Sequence, residues 1–210
     1  MKTKMLILFS FCSTLLFAND KYEQVMQTNI QSIYKAQTAE EMQQSINTFE
    51  RIGAAEKSKW EPFYYASFGY IMMATREEDG AKRDVLLDKA TQVLEKASAI
   101  QKNDSEIIAL EGFIYMMRVT VDPATRGQQY SGLAMQTFGK ALGLNPNNPR
   151  AMALMAQMEF GTAQFFKSPT TSACEKATNA IAMFDATSSV GPLAPRWGKE
   201  TAMQVAKQCQ

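Results

Sequence analysis

Lys96-Ala-Ser-Ala-Ile-Gln-Lys-Asn-Asp-Ser-Glu106 is matched 44 residues later by Lys140-Ala-Leu-Gly-Leu-Asn-Pro-Asn-Asn-Pro-Arg150. Both stretches close an apolar helical run, pass through an Asn/Asp-rich turn and open a new run. Asp104 and Asn148 are residue types whose side chains accept the free N–H groups at a helix start, and Pro149 is tolerated at the first helical position. Small residues follow the same beat: Gly69, Gly112 and Ala156 are spaced by 43 and 44 residues, and Gly112 and Ala156 lie 15 residues beyond Ala97 and Ala141. Self-similarity at a fixed long period marks stacked helix pairs.

Helical periodicity extends outward from this stretch in both directions, and no segment alternates with period two. Thr38-Ala-Glu-Glu41 and Ser58-Lys-Trp-Glu61 fit the capping box, and Ser168 before Pro169 is a further start signal. Breaks fall near Gly80, Asp122-Pro123, Asn145-Pro146 and Ser188–Pro195. The pattern predicts helices near 20–36, 39–54, 59–76, 82–101, 105–121, 126–143, 149–166, 169–186 and 196–208. The fold class is all-α. Gly69, Gly112 and Ala156 are read as core positions where partner helices approach closely, with Phe68, Leu94 and Ile108 filling the space beside them.

Ala141-Leu-x-Leu-x-Pro146, the small residue 15 positions later, and the Ile108, Gly112, Tyr115 spacing together resemble the tetratricopeptide-repeat (TPR) family. The resemblance covers roughly residues 40–186. It implies a right-handed array of antiparallel helix pairs, an α-solenoid of about nine helices. The usual period of about 34 residues is exceeded here by about ten, which implies longer helices or longer loops within two units. Asn47-x-Phe-Glu-Arg-Ile52, Ala54-Ala-Glu-Lys57, Trp60-x-Pro-Phe-Tyr-Tyr-Ala66 and Pro195-Arg-Trp-Gly198 are similar to exported repeat-like proteins of Gram-negative bacteria.

Residues 1–18 read as a signal peptide: Lys2 and Lys4, an apolar run from Met5 to Phe17, then Ala18. That run is shorter than the roughly 20 residues a spanning helix needs. Phe11 before Cys12 argues against lipidation. The expected product is one TPR-like helical domain over 19–210, located in the periplasm or secreted, with no membrane insertion after signal cleavage. The whole chain carries a net charge of +1, which becomes −1 without Lys2 and Lys4, so nothing favours nucleic acid.

The chain contains no histidine, which excludes Ser-His-Asp and Cys-His nucleophiles and histidine-ligated zinc. The 14 methionines raise the question of Cu(I), for which thioethers are suitable ligands. However, Met72-Met73, Met116-Met117 and the Met152, Met155, Met158 series lie at helical spacing, where methionine fills core gaps. No cofactor is expected. The carboxylates Glu40-Glu41, Glu77-Glu78-Asp79 and Asp104/Glu106 sit at helix starts or in loops, so no enzyme is expected. Trp60, Phe63, Tyr64, Tyr65 and Tyr70 cannot all share one helix face; the one left over is expected to contact the preceding helix pair.

The TPR resemblance implies that certain first-helix positions line a concave groove. They include Phe63, Tyr70 and Met73; Glu106, Phe113, Met116 and Met117; then Arg150, Gln157 and Phe160. Such a groove, apolar with Glu106 and Arg150 at its rim, suits a peptide or amphipathic helix. The expected function is therefore non-catalytic binding of a protein or peptide partner by a monomer. The alternative is a helical protein that binds a small apolar ligand or a carbohydrate. Finally, Cys174 and Cys209 are the only cysteines after signal cleavage. Helical arms of roughly 18 and 21 Å, at 1.5 Å per residue, folded back across Ser188–Pro195 bring both to one end of a hairpin, where a disulfide is expected.

Overall fold

The computed structural model describes residues 11–187 and 191–209 of the 210-residue chain. The described residues form nine helices and no strand: α1 (Phe11–Lys35), α2 (Ala39–Ala55), α3 (Glu61–Arg76), α4 (Gly80–Ile100), α5 (Ser105–Val121), α6 (Pro123–Leu144), α7 (Pro149–Phe166), α8 (Thr171–Ala186) and α9 (Lys199–Gln208). Residues 1–10 of the expected signal segment lie outside the described residues. No helix among those described is long and apolar enough to cross a membrane.

The repeat sets the helix starts. α3, α5 and α7 begin at residues 61, 105 and 149, two steps of 44. Asp104 accepts from the Glu106 and Ile107 amides, and Asn148 accepts from the Arg150 and Ala151 amides, so equivalent residues cap equivalent helices. The extra length of the period lies in the second helix of each pair: α4 and α6 run 21 and 22 residues, against 16 and 17 for α3 and α5. α3, α5 and α7 also touch one another directly, whereas α4, α6 and α8 contact only their sequence neighbours. α1, α3, α5 and α7 thus form an inner row, backed by the even-numbered helices. α9 caps the end of the array by packing on α7 and α8.

Local chemistry confirms some predicted boundaries and moves others. Thr38 and Glu41 form the complete capping box at the start of α2. The box expected at Ser58–Glu61 does not form: α3 begins at Glu61 with Pro62 in its first turn, and the Trp60 carbonyl starts the hydrogen-bond ladder instead. Ser168 does not start α8 but ends α7, its amide returning to the Ala163 carbonyl beyond the left-handed Lys167. α9 starts at Lys199 rather than near 196 because Gly198, at φ +104°, turns the chain. A side chain there is strained, and its Cβ would also crowd Arg150 and Phe184.

The core follows the inner row. Ten consecutive residues of α3, Pro62–Ile71, are buried, so that helix is enclosed on all sides. Gly112 meets the fully buried Phe138 of α6 so closely that a Cβ would lie 2.4 Å from the ring. Gly69 makes room for Ile46 and Ile33 of the preceding helices, not for its own partner α4. Met116, Met117 and Met158 are buried, in keeping with a packing role.

Gly112→Ala should therefore destabilise the fold by roughly 1–3 kcal/mol through overpacking. This is read as a fall in Tm of about 2–4 °C per kcal/mol for a chain of this size. Trimming Phe138 to Leu in the same chain should recover part of the loss; a neutral single variant would show that the contact yields freely. Cys174 and Cys209 form a disulfide with Cα atoms 5.9 Å apart and a separation of 35 positions in sequence. Replacing both by Ser should cost about 3–4 kcal/mol on chain-entropy grounds. Peptide mapping without reductant should recover the linked pair, and two free thiols would refute it.

Candidate functional site

Ahead of α9, the segment Leu193–Gly198 lies against the inner row of helices, on the concave face. Between Leu193 and Gly198 it has no regular secondary structure, so its polar groups are satisfied by side chains of the inner row. Tyr65 Oη donates to the Leu193 carbonyl (2.8 Å) and Arg150 Nη1 donates to the Pro195 carbonyl (3.0 Å). The Arg196 amide donates to Tyr34 Oη, and Trp197 Nε1 donates to Tyr64 Oη, both at 3.1 Å. The Trp197 indole lies nearly parallel to two buried rings: Phe68 of α3 at 5.2 Å and 23°, and Phe113 of α5 at 5.8 Å and 26°. Pro195 is buried, while Trp197 keeps part of its surface exposed.

Arg150 organises this strap. Its Nε and Nη2 reach both carboxylate oxygens of Glu106 at 2.5 and 2.7 Å, and its guanidinium sits over the Phe184 ring. Burial disfavours the guanidinium charge, but the bonded Glu106 carboxylate outweighs it and holds Arg150 above its ordinary range. Glu106 and Arg150 occupy the same repeat position on consecutive inner helices, 44 residues apart. A cleft of about 440 Å³ opens beside the strap, lined among others by Tyr22, Lys59, Trp60, Glu61, Glu106 and Pro192. A second, of about 470 Å³, lies between α4, α5 and the end of α6, floored by Leu94, Ile107 and Ile114 with Lys102 and Lys140 at its edge. Both fall in the size range of small-ligand sites, about 300–1,000 Å³.

The expected groove residues separate under this geometry. Glu106, Phe113 and Arg150 do meet at the concave face, but beneath the strap and not as an open rim. Phe63 fills the space over Gly53 of α2, and Tyr70 donates to Glu50 of α2 at 2.9 Å, so both serve the contact with the preceding pair. Met116 and Met117 are core, Met73 is half-buried, and Phe160 packs among Ala173, Ala177 and Val205 at the α7–α8–α9 junction. Gln157 is exposed. An open, Met- and Phe-lined concavity is thus not what the chain builds; its own C-terminal segment closes the face. Phe68, Tyr34, Tyr64, Tyr65 and Trp197 meet there instead, and repeat spacing does not single them out as groove residues. Among the described residues, no three His, Cys, Asp or Glu side chains are grouped to hold a metal.

No protein-family model matches the sequence, and no curated protein does. Among solved structures, the HusA haemophore from Porphyromonas gingivalis is similar at a TM-score of 0.80 and 28% identity, covering 90% of this chain and 92% of that one. A thermophilic TPR protein of Thermus thermophilus is similar at a TM-score of 0.53 and 13% identity, over 93% of this chain and 94% of its own. The fold is a TPR-like all-α solenoid.

The strap makes the buried tyrosines a testable feature. Burial raises the Tyr64 hydroxyl well above its ordinary value of 10, and raises those of Tyr65 and Tyr34 as well. A proton held more tightly in the folded state gives stability that is complete below pH 10 and is lost as pH rises beyond it. In an alkaline titration, tyrosinate absorbance from these residues should therefore appear together with loss of helical circular dichroism. Full ionisation of all 7 tyrosines near pH 10 with helicity intact would contradict the burial described.

Proposed function

We propose that this chain is an exported, non-catalytic helical binding protein that carries haem or a related porphyrin. The observation that carries the reading is the end-to-end likeness to a haemophore, at 28% identity over nine-tenths of both chains. The site chemistry is compatible with it. The concave face offers buried aromatic rings against which a flat macrocycle can lie, and a buried guanidinium suited to its carboxylates. The signal-like segment 1–18 and the disulfide support passage into an oxidising compartment.

With no histidine in the chain, imidazole cannot hold the iron; outside the disulfide and the signal-like segment 1–18, Met and Tyr are the haem-ligating types left. The aromatic rings and the Arg150 guanidinium assign recognition to the macrocycle and its carboxylates instead of to the metal. Purified protein should bind haem and metal-free protoporphyrin IX with one-to-one saturation and comparable affinity, followed through the Soret band. Absence of saturation with either compound would reject the proposal. Binding of haem alone would reject the metal-independent mode.

A peptide-binding role remains as the second reading, favoured by one fact: an extended segment of this chain already lies along the concave face through tyrosine and arginine contacts.

A further inference from the structure

We propose that the aromatic floor beneath Trp197 is the porphyrin site, and that Leu193–Trp197 is its cover, released when a planar, carboxylate-bearing macrocycle enters. This rests on the porphyrin-carrying reading and places its ligand. Phe68 and Phe113 present rings nearly parallel to the indole, so the surface already accepts a flat aromatic system. The resident indole is itself only partly buried, and the cleft of about 440 Å³ borders the same strap, giving a larger ring system room to extend.

The hydrogen bonds fit an exchange of occupants. The strap contributes carbonyls of Leu193 and Pro195 to donors that belong to the fixed inner row. When the strap leaves, Arg150 keeps its paired bond to Glu106 but loses the acceptor of Nη1. A buried charged donor without an acceptor is costly, and a ligand carboxylate supplies a stronger one than the amide carbonyl it replaces. Strap release does not require α9 to leave. The disulfide from Cys209 to Cys174 pins α9 to α8, and the positive-φ Gly198 marks where strap and helix part.

The test uses the full disulfide-bonded protein and metal-free protoporphyrin IX. Tyr34→Phe with Tyr65→Phe removes two hydroxyls that hold the strap while keeping both rings in the core. Stopped-flow association should be roughly 5–30-fold faster in this double variant, as expected for loss of two ordinary hydrogen bonds from the closed state. In the wild type, hydrogen exchange of the Leu193–Trp197 amides should speed up when porphyrin is bound. An unchanged association rate, or a strap that stays protected in the complex, overturns the cover while leaving the carrier reading intact. A wild-type protein that binds no porphyrin overturns both.

Discussion

Arg150 is a guanidinium that the fold removes from water, and the concave face is arranged around that constraint. An isolated buried charge is strongly disfavoured, so each of its three nitrogens needs an acceptor. Glu106 supplies two from the neighbouring inner helix, and Pro195 supplies the third from a segment that would otherwise lie at the surface. Through these contacts one side chain ties α5, α7 and the C-terminal strap, while its stem crowds Gly198 and its head covers Phe184. The pairing follows from the repeat: the helix caps Asp104 and Asn148 fix the register, and two residues later the same position carries opposite charges on adjacent units.

The parts of the structure governed by periodicity were legible in the sequence. Starts at Ser105 and Pro149, the capping roles of Asp104 and Asn148, and the close approach at Gly112 depend on local chemistry repeated at a fixed interval. The Cys174–Cys209 bridge was legible because antiparallel helical arms of similar length, Cys174 to Ala186 and Lys199 to Cys209, must bring their far ends together. α3 resisted reading for the opposite reason. With Pro62 through Ile71 all buried, its hydrophobicity has no face, and spacing cannot tell the concave side from the side against α2. Phe63 and Tyr70 were accordingly expected in the groove when they face Gly53 and Glu50.

The strap was the larger omission, and its composition explains it. Gly191-Pro-Leu-Ala-Pro-Arg-Trp-Gly198 has neither period 2 nor period 3.6, so it reads as a connection between helices. What places it on the inner row is side-chain complementarity across more than a hundred residues of sequence: Tyr65 to Leu193, Tyr64 to Trp197 and Tyr34 to Arg196. Trp197 in an otherwise plain loop was the available signal, since a large aromatic in such a segment needs a surface to cover. The aromatic-rich run from Trp60 to Tyr70 holds three of the strap's partners, Tyr64, Tyr65 and Phe68.

A solenoid of this kind generates a concave surface whether or not it has a ligand, because its inner row curves while its outer helices diverge. In this chain the outer helices α4 and α6 are also longer than the inner helices α3 and α5 they pair with, at 21 and 22 residues against 16 and 17. An exposed wall of aromatic rings would be a liability in any compartment, since large apolar patches drive association. The strap resolves that conflict locally: it shields the rings with one indole while contributing little regular structure of its own. A cover held by a few tertiary hydrogen bonds has a free energy small enough for a ligand to compete with, unlike a helix of the array, which shares a continuous core with its neighbours. Shielding and access are therefore compatible in the same segment, and this sets the concave face apart from an ordinary helix interface.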